Sequence, residues 1–116
     1  MTKDYCKYYN DLEKLKEELE QYMPSTMSSF NKLHMKIIKD GVLTEKTKEL
    51  IALGIAISVK CNGCIAFHVN DALKAGATSS EIMETIEVAI FMGGEQSMVY
   101  GCQALEALNQ YTVIEK

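Results

Sequence analysis

The sequence predicts an all-α fold of about six helices. Three observations carry this expectation. Apolar residues recur at spacings of three and four along most of the chain. Capping residues and glycines mark where these stretches start and stop. A single proline and no convincing strand pattern leave few loops and no sheet.

In the first helix, Tyr5, Tyr8, Leu12, Leu15, Leu19 and Tyr22 form a narrow apolar stripe, with charges on the other faces. Such a stripe suits packing on its own domain or on a neighbouring subunit. Pro24 and Ser25 break the pattern. A second helix follows, with Met27, Phe30, Leu33, Ile37 and Ile38 on one face and His34 as a packed histidine. Gly41 is expected to cap its end. Thr44 reads as the next N-cap, with Glu45 in the favoured first turn. The stretch "ELIALGIAISVK" is apolar almost all round, so subunit contacts are expected to help cover it. A fourth helix covers residues 61–75 and stops at Gly76. "TSSE", residues 78–81, is a capping box before a run with Ile82, Ile86, Ala89 and Ile90 on one face. Gly93-Gly94 interrupts, and a last helix runs through Met98, Gly101, Ala104, Leu105 and Leu108. Met83, Met92 and Met98 read as core filler. Glu81, Glu84 and Glu87 read as a cap and a solvated face.

The 116 residues fit one domain, 1–116, with a modest core. Hydrophobic residues make up 47% and charged residues 24%, which indicates a globular chain. The net charge is −4 and no Lys/Arg cluster stands apart, which argues against nucleic acid. The apolar run at residues 50–59 is broken by Gly54 and Ser58 and is too short to span a bilayer. The opening "MTKDYCKYYNDLEK" has no apolar h-region. The expected setting is therefore the cytoplasm, away from membranes. There, four cysteines point to catalysis or metal binding rather than structural staples.

"CNGCIAFH", residues 61–68, concentrates the chemistry. On a helix, Cys61 and Cys64 share a face at i, i+3, and Cys64 and His68 at i, i+4. Cys61 falls at the helix start, where unpaired N–H groups and the dipole stabilise a thiolate. One turn thus offers two thiols, a base and a thiolate-favouring field. Glu49 lies about 18 Å from Cys61 if both sit on one straight helix. A helical hairpin turning near Ser58 and Val59 would instead bring Glu49 level with His68. There it would orient the imidazole and raise its basicity.

The pattern Glu49-x11-Cys61-x2-Cys64-x3-His68, continued by "HVNDALKAGATSSEI", resembles the AhpD-like alkylhydroperoxidases of the carboxymuconolactone decarboxylase superfamily. The resemblance covers roughly residues 27–108. It implies an AhpD-like helical bundle that assembles as a homo-oligomer, a trimer or a hexamer. It implies thiol-dependent reduction of hydroperoxides, or related disulfide exchange, with no cofactor. By this likeness Cys64 is peroxidatic, Cys61 resolves it as a disulfide, and His68 and Glu49 relay the proton. A dithiol such as dihydrolipoamide, or a thioredoxin-like protein, restores the pair. One position departs: where AhpD has a further histidine before its second cysteine, this chain has Gly63.

Other readings stay open on the sequence. One is a cofactor-free decarboxylase like the enzyme that names the superfamily, although such enzymes do not depend on a cysteine pair. Another is a zinc site built on Cys61, Cys64 and His68, with Cys6, Cys102 or Glu49 as the fourth ligand. A third is a non-catalytic structural partner. Cys6 and Cys102 read as buried and inert.

Overall fold

Asp4 starts the first helix: its carboxylate accepts the Lys7 N–H at 3.0 Å. The computed structural model describes residues 3–115, with side chains through 112. Among these it forms α1 (Tyr5–Tyr22), α2 (Pro24–Ile38), α3 (Glu45–Ser58), α4 (Asn62–Lys74), α5 (Ser79–Gly93) and α6 (Glu95–Glu115), with no strand. The all-α expectation of about six helices is met.

The stripe on α1 divides in two. Tyr5 is fully buried and Tyr8 packs on the core, whereas Leu15, Leu19 and Tyr22 are exposed. Gln110 of α6 ties down the start of α1. Its Oε1 accepts the Tyr5 N–H at 2.6 Å and its Nε2 donates to the Lys3 carbonyl at 2.6 Å. Pro24 is the first residue of α2, where its missing N–H costs nothing.

No residue of α2 is buried. Phe30, Leu33 and Ile37 are exposed, and His34 is exposed rather than packed. The helix also stops before Gly41. Lys39 is its C-cap, and the Lys48 ammonium donates to the carbonyls of Ile37 and Lys39 at 2.7 and 2.8 Å. A cation at the dipole's negative end thus does the work expected of a glycine.

Thr44 caps α3 as expected, its Oγ1 accepting the Thr47 N–H at 3.2 Å. At the other end the chain makes a Schellman turn. Cys61 N–H reaches the Ala56 carbonyl at 3.0 Å and Lys60 N–H the Ile57 carbonyl at 3.3 Å. Lys60 takes the left-handed conformation this requires, at φ 62. The end of α4 repeats the motif with Gly76 at φ 99, Ala77 N–H meeting the Ala72 carbonyl at 2.9 Å. The capping box of α5 forms in full. Thr78 N–H donates to Glu81 Oε1 at 2.9 Å and Glu81 N–H to Thr78 Oγ1 at 3.1 Å. Gly93 ends α5 against Ser97, whose Oγ would lie 1.7 Å from an added Cβ, so no side chain fits there.

The core joins Tyr5, Leu53, Ile57, Ile65, Val69 and Ile82 to the small face of α6 at Ala104 and Ala107. Small residues let α6 lie close to α4 and α5. Two expectations fail here. Met83, Met92 and Met98 are exposed rather than core filler, and Cys102 is exposed rather than buried. The apolar helix α3 is covered only in part: Leu53, Ala56 and Ile57 are buried, but Ile51 and Ile55 face outward. With Leu50, Thr85, Val88 and Met92 they line an apolar groove of about 520 Å³ between α3 and α5.

Lys60 is a lysine in a conformation that suits glycine. Lys60→Gly removes that strain but loosens the unfolded chain, so the expected net gain is about 0.5 kcal/mol. A urea-unfolding midpoint that rises checks this.

Candidate active site

The Schellman turn does two jobs at Cys61. Its backbone N–H closes α3, and its side chain opens α4 as the N-cap, Sγ accepting the Cys64 N–H at 3.2 Å. Sulfur at an N-cap faces unpaired donors and the positive end of the dipole, which favour its thiolate. Cys61 and Cys64 are joined by a disulfide with Cα atoms 5.2 Å apart. That separation is ordinary for a disulfide, so the first turn of α4 closes it without rearrangement. Both cysteines are half-buried.

The same turn runs α3 and α4 antiparallel, as the hairpin expectation required. Glu49 Oε1 lies 2.9 Å from His68 Nδ1. The carboxylate is only 3% exposed, so burial without a partner would be costly, and the imidazole offsets that cost. A carboxylate only accepts, so Nδ1 carries a proton; in the neutral ring Nε2 then keeps the free lone pair. The side chain of His68 is 22% exposed, which leaves the ring within reach of solvent. Phe67 beside it is held edge-on by Tyr9 of α1, ring centroids 4.7 Å apart. Gly63 packs under Leu12 and Tyr8 of α1, where an added Cβ would meet Leu12 at 3.4 Å. A histidine there would have to displace α1 side chains.

All four residues singled out in the sequence thus fall on one helical hairpin. Sequence reasoning passed over a fifth, Asp71. It lies one turn beyond His68 on α4, and its carboxylate, Glu49 and His68 place ligand-type atoms within 4.8 Å of one another. The signal was present in "HVND", since i, i+3 puts Asp71 on the His68 face. Burial pushes the Asp71 carboxyl above the ordinary range, and the Glu49 charge adds to this. His68, Lys74 and His34 pull the other way. A zinc site on Cys61 and Cys64 would need the reduced pair, since the disulfide leaves neither sulfur as a thiolate; among the described residues neither Cys6 nor Cys102 belongs to the Glu49–His68–Asp71 cluster.

An all-helical chain with a cysteine pair at a helix N-terminus and, on the same hairpin, a buried carboxylate bonded to an imidazole points to one family. This chain belongs to the carboxymuconolactone decarboxylase family, whose model matches residues 24–107. An uncharacterized protein of Cupriavidus necator is 33% identical over 94% of this chain and 99% of that protein. Alkyl hydroperoxide reductase AhpD of Coxiella burnetii is 29% identical over 75% of this chain, which spans 46% of that longer protein. The crystal structure of a carboxymuconolactone decarboxylase family protein from Legionella pneumophila superposes with a TM-score of 0.89. It is 37% identical, covering 92% of this chain and 96% of that one. The AhpD-like resemblance and the all-α fold are both borne out.

The raised Asp71 carboxyl has a consequence for stability. Its charged form is disfavoured in the fold, so its cost is present at neutral pH and relieved as pH falls through the folded value. Asp71→Asn is therefore expected to be more stable than the parent at pH 7. The difference should shrink toward pH 4, as thermal unfolding across that range would read.

Proposed function

We propose that this chain is a thiol-dependent hydroperoxide reductase, a single AhpD-like domain over residues 1–116. The observation that carries the reading is the shared placement of the Cys61–Cys64 pair and the Glu49–His68 pair on one hairpin. The likeness to the Coxiella burnetii AhpD supports it.

Cys64 is the peroxidatic residue. His68 Nε2, held by Glu49, takes the Cys64 thiol proton. The thiolate attacks the distal oxygen of ROOH; an S–O bond forms and the O–O bond breaks. The alkoxide takes the proton back from His68, leaving ROH and Cys64 sulfenic acid. Cys61, its thiol proton given up to solvent, then attacks the Cys64 sulfur; the S–O bond breaks and the departing hydroxide takes a proton from solvent and leaves as water. The N-cap position of Cys61 suits this, because a donor such as the Cys64 N–H, which points at Cys61 Sγ, favours a thiolate there. A dithiol reductant, dihydrolipoamide or a thioredoxin-like protein, gives two electrons and two protons to restore the thiols. If the oxidant is a protein or small-molecule disulfide, the same pair exchanges with it directly. The decarboxylase alternative assigns the cysteines no task.

The cytoplasm, a reducing compartment, suits such a cycle. No helix of the described residues is long and apolar enough to cross a membrane. The unburied α2 and the groove beside Ile51 and Ile55 suit a homo-oligomer, trimer or hexamer. Sedimentation equilibrium is expected to return a multiple of the 13.0 kDa chain, three or six, and a monomer would contradict it.

The direct test is mass spectrometry of fully reduced protein after brief exposure to an organic hydroperoxide. A Cys61–Cys64 disulfide is expected to form in the parent well before Cys6 or Cys102 oxidises. Cys64→Ser should form none. Equal oxidation of all four cysteines would sink the reading.

A further inference from the structure

Asp71 is a second carboxylate in a place that a structural helix would not choose. It is half-buried, it sits within 4.8 Å of the buried Glu49, and like charges that close repel. No lysine, arginine or histidine nitrogen of the described residues comes within 4.0 Å of its carboxylate. Lys74, the cation one turn further along α4, instead lies over the Tyr9 ring at 5.8 Å. Its neighbours in the cluster are Glu49 and His68. The imidazole binds one carboxylate through Nδ1, and the second lies within 4.8 Å of both without bonding to it.

We propose that Asp71 is a positioning residue that sets the charge of the site: it acts through His68, making the imidazole held by Glu49 a more avid proton acceptor. The proposal rests on the reductase reading for its purpose, since it says how strongly the relay holds the Cys64 proton. It does not rest on that reading for its physics. A negative charge at this distance favours the imidazolium whatever the reaction is. The raised Asp71 carboxyl agrees with the geometry, because a group held close to Glu49 and away from water resists losing its proton.

The groups that bear on this corner are few and come from five helices. They are Tyr9 from α1, His34 from α2, Glu49 from α3, His68 and Lys74 from α4, and Tyr111 from α6. The Tyr9 and Tyr111 hydroxyls are both pushed upward, chiefly by burial with Asp71 adding, so they stay neutral through the range that matters. His34 and Lys74 each lower the Asp71 carboxyl and are untouched by its replacement.

The chain has two histidines, which makes the test direct. The imidazole Cε1–H resonances of the oxidised, disulfide-closed protein are followed by NMR from pH 4.5 to 9, with His34→Gln assigning the pair. In that state neither Cys61 nor Cys64 titrates. Asp71→Asn is expected to move the His68 midpoint down by about one pH unit relative to the parent. Asp71→Glu, which restores the charge, should move it back most of the way, and His34 should shift far less. A merely structural role would leave the His68 midpoint where it was. An unchanged midpoint in a folded Asp71→Asn protein overturns the proposal, and so does an equal shift at His34.

The two readings fail separately. If the His68 midpoint moves but hydroperoxide forms no Cys61–Cys64 disulfide in the parent, the charge-setting role stands and the reductase reading falls. If the disulfide forms and the midpoint is unmoved, the reverse holds. Where both stand, the rate of disulfide formation gives the signature: relative to the parent, Asp71→Asn is expected to gain at the acid end of the profile and to lose at the alkaline end, where its weaker base limits the step.

Discussion

The hydrogen bond from the Cys61 N–H to the Ala56 carbonyl is the constraint on which the site depends. It closes the Schellman turn, and so decides where α3 ends and in what direction α4 leaves. Because the same residue is the N-cap of α4, no spacer separates the two helices. Register then follows without further adjustment. Glu49 and His68 face each other across the hairpin, and Cys64 sits one turn of α4 before His68. A residue inserted between Ala56 and Cys61 would rotate α4 by about 100° and carry His68 away from Glu49. Local turn chemistry, rather than the distant core, thus sets the geometry of these four side chains.

That geometry is held at a cost. A carboxylate that is 3% exposed is tolerated because the imidazole meets it, and a second carboxylate is tolerated nearby because it is only half-buried. Neither group is what packing alone would select on the inner face of a small bundle. Apolar residues would fill those positions with less strain. Two acids and a base held against the stability of the fold, on the hairpin that carries the cysteine pair, fit the proton relay proposed above.

Much of this was legible in the sequence because it was written in local signals. Thr44, Thr78 with Glu81, and Gly76 act through hydrogen bonds and backbone freedom within a few residues, and each appears where it was expected. The Glu49–His68 pairing was legible because a hairpin makes equal distances from the turn meet. Other features depended on distant partners or on a choice the chain could make otherwise. Lys60 adopts a conformation that glycine would advertise, and the end of α2 is capped by the Lys48 side chain from a later helix rather than by Gly41. Asp71 was passed over because a carboxylate on a helix is ordinarily a solvated one. Only the antiparallel packing of α3 shows that it stands beside Glu49. His34, Met83, Met92 and Met98 were placed inside because periodicity marks an apolar face without saying what covers it.

The cover of α3 has a consequence for the site. Its inner side buries Leu53 and Ile57 and aims Glu49 at His68, while Ile51 and Ile55 on another side open into the apolar groove with Val88 and Met92. Glu49 and Ile51 are two residues apart on one helix, so whatever seats on the groove bears on the backbone that aims the carboxylate. A helix this short behaves as a rigid rod. A rotation that brings Ile51 and Ile55 closer to a covering surface would also change the distance from Glu49 to the imidazole. Coverage of the outer face and precision of the inner one are therefore properties of a single element. The sequence of α3, apolar almost all round with one glutamate inside, reflects both demands.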